Sequence, residues 1–136
     1  MATIDIKEKG SAFMDKIKAL GLGGGAILVL GFLAQMYFPW WSVAVVAFLV
    51  GCFVHVSASS SMAYGTAAVT LLWCTYAGFQ SSANSGIMSG VISDMFGGKV
   101  SGTQFIFVTG LIGGLVGGFA AMTGTMLRDL FNKDVV

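Results

Sequence analysis

"GLIGGLVGGFAAMTG", residues 110–124, contains no charge and sets its small residues in register: Gly110, Gly114 and Gly118 stand four apart, as do Gly113, Gly117 and Ala121. In a water-exposed helix each such glycine costs about 1 kcal/mol relative to alanine, so the pattern asks for a compensating environment. A bilayer provides one. Helices in lipid gain little hydrophobic energy by meeting, and close backbone approach decides which faces associate. The two rows are neighbours on one helix face and predict a packing groove. Leu111, Ile112, Leu115, Val116 and Phe119 take the remaining positions. Gly21, Gly24, Gly25 and Gly31, earlier in the chain, form a second small face that is a plausible partner; a neighbouring chain is the alternative.

The rest of the sequence extends this reading. Of 136 residues 56% are hydrophobic and 10% charged, and no Asp, Glu, Lys or Arg occurs between Ala19 and Ser93. A span needs about 20 mainly apolar residues to cross a hydrocarbon core about 30 Å thick. Four stretches are expected to do so: Leu20–Phe38, Trp41–Val56, Met62–Phe79 and Phe105–Leu127. The first two, joined through Pro39 with almost no loop, read as a tight hairpin. The expected fold is therefore a single all-α membrane domain over 1–136, with four transmembrane helices. Within it 1–19 is a cytoplasmic interfacial segment, 20–79 holds three spans, 80–104 is an outer connection, 105–127 is the fourth span and 128–136 a cytoplasmic tail. A cleaved signal peptide is rejected: the first apolar run continues to a Phe38-Pro39-Trp40-Trp41 corner without a small-residue cleavage pattern.

Charge sets the expected orientation. Lys7, Lys9, Lys16 and Lys18 precede the first span, Arg128 and Lys133 follow the last, and Lys99 alone lies in the connection. Positive-inside bias places both termini in the cytoplasm, and Tyr37, Trp40, Trp41, Trp73 and Tyr76 fall toward the outer interface. A net charge of +1 gives no sign of nucleic-acid binding. Cys52 and Cys74 sit at depths too different for a disulfide and read as small buried hydrophobes.

Two amphipathic segments flank the spans. In residues 4–18, Phe13, Met14 and Ile17 have helical spacing and leave Asp15, Lys16 and Lys18 for water, as in a helix lying on the inner membrane surface and running into the first span. In 80–103, Ile87, Met88, Val91, Ile92, Met95 and Phe96 oppose a stripe of Ser82, Ser85, Ser89 and Ser93. That predicts a helix of about 15 residues, too short to cross. Ser82 or Asn84 would cap it, and Gly97-Gly98 would end it. It is expected on the outer interface or against the bundle.

Catalytic constellations are missing from the sequence pattern. His55, the sole histidine, ends the second expected span where its ring reaches interfacial water, and has no nearby carboxylate in sequence to orient it; it is a candidate pH-sensitive group. Thr66, Thr70 and Thr75, with Gln35 and Gln80, are the hydroxyls and amides available to line a polar path, although such residues in spans usually bond their own helix carbonyls. "GLGGG" at 21–25 lacks the GK[ST] ending of a phosphate loop. No cofactor or metal is expected.

"FPWWSVAVVAFLVG" (38–51), "SANSGIMSGVISDMF" (82–96) and "VTGLIGGLVGGFAAMTGTMLR" (108–128) together resemble a group of short bacterial four-span inner-membrane proteins with no assigned activity. The resemblance implies a multi-pass protein of the bacterial inner membrane and transfers no catalytic residue. The function expected is a non-enzymatic integral membrane subunit or scaffold, held in the lipid bilayer and associating as a homo-oligomer or with other membrane subunits. The alternative is a small homo-oligomeric channel or permease for an ion or neutral solute.

Overall fold

A computed structural model describes residues 2–133, with side chains described from 9 to 132. Lys7, Lys133 and the tail 134–136, all used in the charge argument above, lie outside the described side chains. Five helices make up the described residues: α1 (Ala2–Tyr37), α2 (Ser42–Phe53), α3 (Ala58–Ala83), α4 (Ile87–Met95) and α5 (Gly102–Lys133).

Four spans are not what the chain builds. Two of these helices, α1 over Lys9–Tyr37 and α5 over Gly102–Asn132, are long and apolar enough to cross a membrane. The second expected span is α2, whose 12 residues reach only about 18 Å. The third, α3, has the length at 26 residues but not the composition. Serines at 59–61 and 81–82, threonines at 66, 70 and 75, and Gln80 dilute its apolar run.

The expected helix at 4–18 does run on into the next one: no proline or left-handed turn interrupts the chain at Lys18, and both are parts of the 36-residue α1. Its residues 11–18 are all exposed.

Pairings fix the directions. Gly23 of α1 lies on the Tyr64 ring and Gly31 on Leu72, so α1 and α3 run parallel. Gly118 of α5 meets Met62 and Thr66, whereas Gly110 meets Thr70 and Cys74, so α5 runs antiparallel to α3. The N-terminal half of α1, the 54–57 turn and the end of α5 therefore share one end of the bundle. The Phe38–Trp41 corner, α4 and the start of α5 share the other. Among the described residues no Cα of α1 comes within 8 Å of one of α5.

The interior is narrow and made mostly of small side chains. Ile27, Val43, Ala47, Val69 and Ala121 are buried with Ser61 and Thr125, Tyr64 and Leu72 being the large members, while Leu22, Val29, Phe32, Leu111, Ile112 and Phe119 stand on the outside. This is the reverse of the size distribution in a water-soluble core, where the largest apolar side chains go inside.

The segment between α3 and α5 is shorter than the sequence pattern predicts. Its helix has nine residues, and neither Ser82 nor Asn84 caps it: Gly86, at φ +72°, occupies the cap position with no side-chain cap bond. Gly97 and Gly98 end it, both with positive φ. At the start of α5 the Ser101 backbone N–H donates to Gln104 Oε1 (2.7 Å) and the Gln104 N–H to Ser101 Oγ (3.4 Å), a reciprocal capping box.

Candidate functional site

The glycine rows of α5 face α3 and α2, not the first helix. A Cβ on Gly110 would overlap Cys74 Sγ and lie 3.1 Å from the Thr70 carbonyl oxygen. One on Gly114 would overlap Thr70 Oγ1 and stand 2.9 Å from the Thr66 carbonyl oxygen; at Gly118 it would overlap Thr66 Oγ1, 3.0 Å from the Met62 carbonyl oxygen. The second row receives larger partners: Gly113 underlies the Trp73 indole and Gly117 takes Val69. Ala121, the last position of that row, is fully buried against Gly65 and Gly51. Each glycine thus admits either a neighbouring backbone or a side chain that a methyl would displace.

Three further glycines complete this interface. Gly51 of α2 packs on the Ala121 carbonyl, Gly124 of α5 on the Phe48 carbonyl, and Gly65 of α3 within 2.8 Å (from a built Cβ) of the Gly117 carbonyl oxygen. Their signal in the sequence is faint, because Gly51 and Gly65 are isolated residues in apolar runs. The small face of α1 is only partly used. Gly23 and Gly31 meet α3 and α2, but Gly21 and Gly25 have no atom within 4 Å of a built Cβ. They border an open apolar groove of about 670 Å³ between α1 and α3, with Leu28, Ala67 and Leu71 among its walls.

Arg128, one helical turn past Gly124, is the polar counterpart. Its Nη1 donates to the Val54 carbonyl (2.6 Å), Nη2 to the Val56 carbonyl (3.1 Å), and Nε and Nη2 both reach Asp129 Oδ1 (3.0 and 2.6 Å). The chain leaving α2 has carbonyls without helical partners, and a planar guanidinium satisfies two of them at once. Beside it the buried Thr125 hydroxyl donates to the Gly51 carbonyl (3.0 Å). Sequence reading treats Arg128 only as a topology charge; its role in the fold depends on a turn more than 70 residues away.

His55 lies in that same turn, exposed, with Nδ1 3.1 Å from the Phe53 carbonyl oxygen. Its ring borders an apolar groove of about 470 Å³ between α1 and α2. Thr70 is not near it. Thr66 and Thr70 are set into the α5 glycines, while Thr75 donates to its own helix at the Leu71 carbonyl (2.8 Å). Both cysteines are free thiols. Among the described residues no three of His, Cys, Asp and Glu come together in a metal-holding group. Comparison with protein-family models, curated proteins and solved structures returns no match.

Proposed function

We propose that this chain is a non-catalytic integral membrane subunit, a helical scaffold of the bacterial inner membrane anchored by α1 and α5. The observation that carries the reading is where the apolar surface lies. The apolar windows of α1 and α5 are only 17% and 33% buried within the chain. The core helix of a soluble protein would have most of that surface covered, and water would penalise the Leu, Ile, Val and Phe exposed here by about 25 cal/mol per Å². Lipid imposes no such penalty. The interfaces of α5 are fixed by backbone packing inside the chain, which leaves the outer face of α5 and the open groove of α1 for lipid or other membrane subunits.

The basic end of the bundle, with Lys16, Lys18 and Arg128, is assigned to the cytoplasmic side by the positive-inside rule. Native mass measurement of the chain purified in mild detergent from its own membrane tests the scaffold role. Other polypeptides, or a defined number of copies without transport activity, are expected; a strict monomer with no companion would overturn it.

A further inference from the structure

α4 divides its surface among three environments. At about 100° per residue, Ile87, Met88, Val91 and Met95 fall in one arc of roughly 100°. All four are exposed, Ile87 at 70% and Met95 at 79%. Ser89 lies on a second side, turned to the bundle: it touches Gly102, donates to the Gly86 carbonyl (2.9 Å) and lies 3.4 Å from Ser81 Oγ. Phe96 reaches the same way and packs its ring 5.4 Å from that of Phe105. Gly90, Ser93 and Asp94 form the third side, and Asp94 is exposed.

Water suits the third side and not the first; hydrocarbon suits the first and not Asp94. Both are present together only at the membrane–water boundary. The height of α4 agrees with this. Its Ser89 rests on Gly102, the first residue of α5, three residues past Lys99 and at the start of the charge-free run 100–127. From Phe79 to Gly98 the chain has no lysine or arginine and Lys99 just beyond is the one cation of the connection, so the apolar face rather than headgroup charge carries the inference.

We infer, resting on the membrane assignment above, that α4 is an interfacial anchor whose Ile87–Met88–Val91–Met95 face is sunk into the acyl boundary of a zwitterionic bilayer on the side opposite the termini. Its occupant is lipid rather than a protein partner. In amphipathic interfacial helices such a face is buried about 5–10 Å below the headgroups. Gly86 and Gly97-Gly98, at φ between +69° and +72°, turn the chain at each end of α4.

The test uses the full chain in phosphatidylcholine nanodiscs, with Cys52→Ala and Cys74→Ala as background and single spin labels at 88, 90, 91, 93 and 95, plus 111 and 115 on α5. Accessibility to oxygen over that to a water-soluble nickel chelate is expected to be high at 88, 91 and 95 and low at 90 and 93. Labels at 111 and 115 give the lipid reference. If those two report lipid while 88, 91 and 95 report water, or are shielded from both reagents by a protein partner, the α4 inference fails and the membrane assignment stands. If 111 and 115 also report water, the membrane assignment itself fails. The unsubstituted chain gives an independent reading: a lipid bearing a diazirine near its glycerol backbone is expected to modify Ile87, Val91 and Met95 in preference to Ser93, and the opposite preference overturns the inference.

Discussion

At the scale of single residues, the distinction that matters is between a glycine that makes room and one that does not. Gly124 faces the Phe48 carbonyl and Gly51 the Ala121 carbonyl, so a methyl at either position meets backbone that cannot rotate away. Gly25 faces open space. Gly124→Ala is expected to destabilise by about 1–3 kcal/mol through overpacking, whereas Gly25→Ala is neutral or stabilises by up to about 1 kcal/mol through helix propensity. Thermal unfolding in detergent separates them, and equal melting of the two variants would contradict the packing described. Arg128 offers a second test. Arg128→Ala leaves the Val56 carbonyl without its partner and the Val54 carbonyl with only the Val56 N–H (3.0 Å), in a place where the Arg128 side chain is only 14% exposed. About 1–3 kcal/mol of stability is expected to be lost. Arg128→Lys is expected to recover little of it, because one ammonium cannot reproduce the fork. Full rescue by lysine would show that charge rather than geometry matters there.

Helices as elements were legible to different degrees, and the reasons are physical. α5 announces itself: an uninterrupted apolar run with its glycines on one face. What that face would meet was not legible, since spacing along one helix says nothing about which neighbour fills it. The partner proved to be α3 with α2, although α1 carries the more conspicuous glycine run. The charge boundary at Lys18 in α1 separates two environments in the sequence reading, and backbone hydrogen bonding is indifferent to it: one helix runs through. α2 and α3 show the limit of counting apolar residues: one is cut short at Phe53, and the other gives many positions to serine and threonine. The pattern of α4 was plain, but its serines led to a cap assignment at 82 or 84 that the left-handed Gly86 displaced. Among candidate site residues, Thr70 was recognised as unusual for its hydroxyl, whereas its position is explained by the space Gly110 and Gly114 leave for it.

Over the whole molecule, the N-terminal half of α1 and the end of α5 lie at one end of the bundle, with the described cations Lys16, Lys18 and Arg128, and the proposed orientation places that end in the cytoplasm. Impermeant thiol labelling of intact cells, on the same background lacking Cys52 and Cys74, is expected to reach a cysteine at Ser101 and to miss one at Asn132. The reverse pattern would invert the assignment. The separation of α1 from α5 has a mechanical meaning. A sideways pull on α1 reaches α5 only by way of α2 and α3, and the corner at Phe38–Trp41 is the one covalent link between α1 and the rest of the chain. The chain is thus a three-helix clamp with a fourth long helix leaning on its flank. Load applied to that helix passes first through the seam formed at Gly23, Gly31, Val43, Tyr64 and Leu72, and only from there to the glycine-lined joint of α5.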